Sequence, residues 1–272
     1  FNRVELLKRA VESVRQQTYQ NLESIIVDDC SKDSTHEYLD EISKQDSRIK
    51  YFIKEKNSGA CVSRNIAIEN AKGEFITGLD DDDYFLSDRV EIFIKKWNDE
   101  YSCVFSNSFI KLNNGKLASN KRLAMKEFIK YSDLIKVNQI GNQIFTKTIY
   151  LRSIGGFDTK LKIWQDIECW FRLLKKYGRA KRLYLNLYVV DISHSHERIT
   201  KKKIEIVLET HEYFCSKHGL SDVQRKDLYT QVLNYEKIKG SIFLYFRKFL
   251  NYKTLGNLYL FFNRIFFYKN FR

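Results

Sequence analysis

Over its first eighty residues the chain alternates short β-branched runs with stretches of helical period, and this restricts the fold more than any other feature. Val4, Leu7, Val11 and Val14 recur at helical spacing, so residues 3–17 read as a helix. Glu23–Asp28 is a short run rich in Ile and Val, the pattern of a buried strand. Ser34 and Glu37 have capping-box spacing and open a second helix carrying Leu39 and Ile42. Ile49, Tyr51 and Ile53 alternate as in a strand, residues 60–71 are helical up to Gly73, and Glu74–Leu79 is a third strand. Strands alternating with helices predict an α/β fold, a mostly parallel, Rossmann-like sheet with helices on both faces.

After Asp99 the pattern loosens. Cys103–Ile110, Gln143–Thr146 and Leu187–Ile192 read as strands, and Asp166–Tyr177 as an amphipathic helix. From Thr200 onward the reading is all helix. The compositional shift there divides the chain into an α/β unit, 1–199, and a helical, basic and aromatic region, 200–272. Residues 240–272 contain no Asp or Glu, and interleave Arg247, Lys248, Lys253 and Arg264 with many Phe and Tyr. That composition suits a helix lying on an anionic membrane surface.

The 272 residues carry a net charge of +13, which calls for an acidic partner such as nucleic acid, anionic lipid or a phosphorylated small molecule. Five scattered cysteines without Cys-x-x-Cys spacing argue for free thiols in a reducing compartment and against structural zinc.

In open α/β sheets, ligands bind beyond the carboxyl ends of the strands. Acidic residues cluster there: Asp28–Asp29 after one strand, Asp80–Asp83 after another. Four adjacent carboxylates repel one another, and a cation among them relieves the repulsion. Hard oxygen ligands favour Mg2+ or Mn2+ and leave room for phosphate oxygens. Further polar segments are Asn57-Ser58-Gly59 with Ser63-Arg64-Asn65, Gly155-Gly156-Phe157-Asp158, Trp164-Gln165-Asp166-Ile167-Glu168, and the His194-Ser195-His196 pair. An arginine suits a diphosphate, a carboxylate beside Trp164 suits a general base, and a histidine pair suits a metal.

In this order and spacing, over roughly residues 1–200, these segments resemble the bacterial inverting family-2 glycosyltransferases of the GT-A fold, of the O-antigen and capsule type. Gln17-Thr18-Tyr19-x-Asn21 through Asp28-Asp29-x-Ser31 matches a first block, and Asn57-x-Gly59, Arg64-Asn65 and Leu79-Asp80-x-Asp82-Asp83 a second. Gly156-Phe157-Asp158 with Gln165-Asp166 matches the acceptor side. The resemblance implies that Phe1, Asp29, Arg64, Asp80 and Asp81 bind the donor. It implies Asp80, Asp82, His194 and His196 at a Mn2+ or Mg2+ ion, and Asp166 as the catalytic base. It also implies a nucleotide-sugar donor, UDP-linked, and a lipid-linked oligosaccharide acceptor. The corresponding place is the cytoplasmic, inner face of a bacterial inner membrane, with peripheral attachment to the anionic surface. Two departures stand out. Gln165 occupies a position usually held by Glu, and the aromatic-Asn pair that ends the family's first strand is here Phe1-Asn2, so that strand is expected upstream.

Three rivals explain less, the first being a catalytically inactive scaffold, which turnover would exclude. A nucleic-acid-binding protein fits the charge but leaves the aspartate run without a purpose, so nucleic acid is not expected as a partner. A dinucleotide-dependent oxidoreductase lacks its Gly-x-Gly-x-x-Gly fingerprint.

Overall fold

The computed structural model describes residues 1–119, 126–194 and 204–232. Its first part follows the expected alternation: α1 (Val4–Arg15), β1 (Ser24–Asp28), α2 (Thr35–Gln45), β2 (Ile49–Ile53), α3 (Ala60–Asn70) and β3 (Phe75–Thr77). Then come β4 (Tyr84–Phe85), α4 (Arg89–Lys96), β5 (Cys103–Lys111), β6 (Leu117–Ser119), β7 (Phe128–Ile129), α5 (Tyr131–Lys136) and β8 (Phe145–Lys147). The described chain ends in α6 (Thr148–Ser153), α7 (Gln165–Tyr177), β9 (Ala180–Asp191), α8 (Ile204–His218) and α9 (Asp222–Val232).

The sheet is mixed rather than mostly parallel. β1 pairs β2 in parallel, as the intervening helix requires. A second sheet has the order β3-β8-β5-β9-β4, with β6 on β5 and β7 on β9. In it only β5 and β9 run parallel; the other pairings are antiparallel. The parallel expectation extended the helix–strand alternation of the first eighty residues to the rest of the sheet, where strands distant in sequence pair antiparallel, β3 with β8 and β4 with β9, a pairing that local alternation does not encode.

β1 and β3 are the end strands of their two sheets, each with one paired neighbour among the described residues. A cleft of about 2100 Å3 opens along both. Its apolar wall is Ala10, Val11 and Val14 of α1 with Ala67 and Ile68 of α3.

The capping box expected at Ser34 does not form. Asp33 accepts from the Thr35 hydroxyl (2.6 Å) and from the Thr35 N–H (3.3 Å) and Val4 N–H (3.0 Å), so one carboxylate ties the starts of α1 and α2 together. An aspartate one residue earlier carries two acceptor oxygens where Ser34 offers one hydroxyl.

The boundary near residue 200 is not a gap in the packing. Val207, Phe214, Cys215, Leu220, Leu228 and Val232, from α8, α9 and the turn between them, share one apolar cluster with Ile167, Trp170 and Phe171 of α7. Gln231 donates to the carbonyls of Leu134 (2.7 Å) and Ile135 (3.1 Å), closing the last turn of α5. The 240–272 tail lies outside the described residues. Among the described residues no helix is long and apolar enough to cross a membrane.

Candidate active site

The end of β1 sets the first wall of the cleft. Asp28 turns inward, accepting from the Ser31 N–H (2.7 Å), the Ser31 hydroxyl (2.5 Å) and bonded to His36 (2.9 Å). Asp29 faces the cleft. It accepts the N–H groups of Ser58 and Gly59, both at 2.8 Å, and pairs with Lys54 at 2.6 Å. Burial opposes its charge, but Lys54 and the two N–H donors outweigh it and lower its pKa. Phe1, half exposed, stands on the same rim.

The end of β3 sets the second wall, and its aspartates divide. Asp80 turns toward α3: it pairs with Arg64 (2.6 Å) and accepts from Gln143 (3.1 Å) and Asn142 (3.0 Å). Burial would raise its pKa, yet the Arg64 charge and these hydrogen bonds hold it lowered. Asp81 and Asp82 turn the other way, to Arg3, at 2.6 and 3.2 Å. Burial still raises the pKa of Asp81 in spite of Arg3. Asp83 points into the core, accepting from the Tyr188 hydroxyl (2.8 Å) and the Asp191 N–H (2.9 Å). Burial, followed by the charges of Asp80 and Asp82, pushes its pKa up to about 7. Gly78 makes this arrangement possible, since a Cβ there would stand 2.1 Å from Oε1 of Gln143.

β9 brings the third wall. Its last residue, Asp191, is buried, paired with Arg9 and with Lys111 (3.2 Å), and accepts from the Ser193 N–H at 2.8 Å. Arg9 also donates to the Asp82 carbonyl at 2.6 Å, so one side chain of α1 fixes both the aspartate loop and the loop after β9. His194 is thereby set 3.4 Å from Asp82. His196 lies outside the described residues.

Asp82 and His194 offer a carboxylate oxygen and an imidazole nitrogen at one place, a donor set that fits Mn2+ or Mg2+ with phosphate oxygens completing the shell. The surrounding excess of carboxylates, with the pKa values of Asp81 and Asp83 raised, fits a cation there too. Among the described residues no three Asp, Glu, His or Cys side chains converge as a ready metal site, and Asp80 spends both oxygens on Arg64 and amides. Among the described residues, Asp80 therefore does not join Asp82 and His194 as a preassembled ligand set.

Phe157 and the residues from Ile163 to Ile167 line another side of the cleft. Asn65 donates to the Phe157 carbonyl (2.8 Å) and accepts the Phe157 N–H (2.7 Å), so the Arg64-Asn65 pair carries α3 onto the Gly155–Asp158 turn. Gly156, at φ +63°, allows this approach. Gln165 accepts from Arg64 at 3.1 Å, and Arg64 also lies 5.2 Å from the Phe157 ring centre. Arg64 thus joins Asp80 to Gln165 at the start of α7. Burial disfavours its charge, but Asp80 overrides this and keeps it protonated. Asp166, on the first turn of α7, accepts from Asn138 at 2.8 Å. Burial raises its pKa against the Ile167 N–H, Arg64 and Asn138.

Phe1, Asp29, Arg64, Asp80, Asp81, Asp82 and Asp166 line one cleft, with His194 beside Asp82. Sequence reasoning missed Arg3, Lys54, Asn138, Asn142 and Gln143. Arg3 sits directly after the Phe1-Asn2 pair, and that was the only signal available.

Known proteins bear on this geometry. The profile described as Glycosyl transferase family 2 matches residues 1–155. A protein of Escherichia coli named for colanic acid biosynthesis, the glycosyl transferase WcaA, is 35% identical over 207 residues, covering 74% of this chain and 72% of that one. The GalNAc(5)-diNAcBac-PP-undecaprenol beta-1,3-glucosyltransferase of Campylobacter jejuni is 35% identical over 154 residues, 55% of this chain and 50% of its own length. Among solved structures, Staphylococcus aureus TarS 1-349 in complex with UDP-GlcNAc superposes with a TM-score of 0.67 at 18% identity, over 89% of this chain and 72% of that one. The Pyrobaculum calidifontis mannosyltransferase PcManGT, in complex with GDP-Man and Mn2+, gives 0.61 at 16% identity, over 86% and 67%. The fold is GT-A, and the chain belongs to glycosyl transferase family 2.

Proposed function

We propose that this transferase moves a sugar from a UDP-sugar to a hydroxyl of a lipid-linked acceptor, with inversion, in bacterial surface polysaccharide synthesis. The observation that carries the reading is Arg64, which bonds Asp80 at 2.6 Å and Gln165 at 3.1 Å and so sets donor-side and acceptor-side groups one side chain apart. The names of the E. coli and C. jejuni relatives support the pathway class and the lipid-linked acceptor, and the TarS complex supports UDP.

Asp29 has acceptor capacity left beside its two backbone partners, suited to the N–H edge of a uracil. Phe1 offers a face for the base, Asp81 a carboxylate for the donor's ribose, and Arg64, held by Asp80, supports the nucleotide. Asp82 and His194 would hold a Mn2+ or Mg2+ ion, which when bound supplies positive charge to the departing diphosphate. Asp166 accepts the acceptor hydroxyl's proton as that oxygen attacks the anomeric carbon and the diphosphate leaves from the opposite face, so one displacement inverts the centre. The decisive experiment incubates the protein with a panel of sugar nucleotides and Mn2+ and scores slow donor hydrolysis. UDP-sugars should be consumed, and EDTA should stop it. Hydrolysis unaffected by excess EDTA, or confined to GDP- or dTDP-sugars, overturns the donor and metal assignments.

Peripheral attachment to the cytoplasmic face of the inner membrane belongs to the same reading, through the acid-free, aromatic residues 240–272. Co-sedimentation with phosphatidylglycerol vesicles should weaken with salt and vanish when that segment is deleted. Unchanged sedimentation after deletion rejects the attachment.

A further inference from the structure

The side chain that meets the proposed base is a neutral amide. Nδ2 of Asn138 donates to Oδ2 of Asp166 at 2.8 Å. Oδ1 of the same amide accepts the N–H groups of Ile140 (3.2 Å) and Gly141 (3.0 Å). Turning the amide over would set its oxygen against the carboxylate and its NH2 against two backbone donors, so the network fixes which end faces Asp166. Gly141, at φ +93°, closes the turn, and its carbonyl accepts Nε1–H of Trp170 at 2.9 Å. Trp170 lies one helical turn beyond Asp166 on α7. The turn that holds Asn138 is therefore fastened to the helix that holds the carboxylate.

We propose that Asn138 is the positioning residue of the base, holding the Asp166 carboxylate in one orientation and in its proton-accepting form. The inference rests on the reading of Asp166 as base.

A base buried at the cleft meets two opposing demands. Burial alone would protonate it, and burial does raise its pKa. A cation bonded directly to it would ionise it but leave it a weak proton acceptor. A fixed neutral donor lies between, favouring the anion and orienting it at modest cost in basicity. The other groups facing Asp166 act differently. Arg64 of α3 favours the anion through its charge, while its hydrogen bonds go to Asp80 and Gln165, so it does not orient the carboxylate as Asn138 does. Cys61 of α3, pushed up to about 11 by burial, remains a thiol. The Ile167 N–H at the head of α7 is present whatever stands at 138.

The test follows the Asp166 carboxyl by 13C NMR titration, its signal assigned by loss in Asp166→Asn, in wild type and in Asn138→Asp and Asn138→Ala. Asn138→Asp keeps an acceptor for the Ile140 and Gly141 N–H groups, so the turn survives while the donor is lost and a negative charge is added. The titration should move upward by about one unit or more in Asn138→Asp, and by less in Asn138→Ala. With UDP-glucose or UDP-N-acetylglucosamine and Mn2+, the acid limb of the turnover profile should rise with it. About tenfold of rate would then be lost on that limb and recovered at higher pH. An unmoved titration and limb in both variants, with Asp166→Asn inactive, overturns the positioning role and leaves Asn138 a turn residue. An Asp166→Asn protein that turns over like wild type overturns the base assignment itself, and this inference with it.

Discussion

Asp166 and Glu168 stand two residues apart on α7 and lead opposite lives. Two residues turn a helix by about 200°, so the two carboxylates leave on opposite faces. Glu168 is fully buried and paired with Arg172 (2.8 Å), Lys217 (2.8 Å) and His218 (3.1 Å). Burial opposes its charge, but His218, Arg172 and Lys217 hold its pKa well below the usual carboxylate range. Asp166 faces the cleft, meets an amide and a more distant guanidinium, and has its pKa raised by burial. Full ionic satisfaction marks the carboxylate that holds α7 to α8. Partial satisfaction, on the side of the cleft, marks the one available for chemistry.

The strongest break of this contrast is a pair of isosteric changes. Asp166→Asn should lower turnover by roughly 10²–10⁴-fold while leaving donor affinity and melting temperature nearly unchanged. Glu168→Gln should do the reverse, losing stability first and activity only through it. An active Asp166→Asn with a dead but stably folded Glu168→Gln would exchange the two roles.

Glu168→Ala goes further, because it leaves Arg172 and its neighbours facing an empty buried site. Breaking a buried ion pair by removing one partner costs about 3–5 kcal/mol, to be read from the denaturant midpoint. A loss below about 1 kcal/mol would place this cluster with ordinary surface pairs.

The Gly155–Asp158 turn sharpens the comparison on a smaller scale. Gly156 has φ +63°, and a Cβ there would lie 2.3 Å from Oδ1 of Asn65, the atom that accepts the Phe157 N–H. Gly156→Ala should cost about 1–3 kcal/mol and loosen the turn that leads to Asp166. A neutral outcome in the midpoint, with unchanged turnover, would mean that Asn65 yields freely and does not fix that turn.

What was readable beforehand follows the same division. The elements up to Thr77 were legible because helical and strand periods repeat cleanly there. β9 was read only from Leu187, because Lys181-Arg182-Leu183-Tyr184 carries no apolar alternation although Arg182 is buried. β4, β6 and β7 are too short to show a period. The charged site residues were legible because carboxylates at strand ends are conspicuous. Asn138, Asn142 and Gln143 were not, since an amide's role depends on what faces it, and the turn that arranges them has no sequence signature. Nor could spacing tell Asp166 from Glu168: the partners that separate them come from the 138–141 turn and from α8.

The finest test concerns Lys217, which pairs with both Asp158 (2.6 Å) and Glu168 (2.8 Å) and is itself partly exposed. Both acids are lowered in pKa, though burial works against each. A lowered carboxylate contributes stability that is fully present above its unfolded pKa, about 3.9 for Asp and 4.3 for Glu. It loses that contribution as pH falls toward its folded value. The contribution of these two carboxylates to stability should therefore be level from neutral pH down to about 5 and decline below. Lys217→Met keeps the apolar stem and removes the charge. It should cost about 1 kcal/mol near neutral pH, since solvent screens the partly exposed amine. The gap should narrow below about pH 4, where Asp158 begins to protonate in both proteins, but not close, because Arg172 and His218 still hold Glu168. A gap equal at pH 3 and pH 7 would assign the effect of Lys217 to packing of its stem, and the contrast along α7 would then rest on Arg172 and His218 alone.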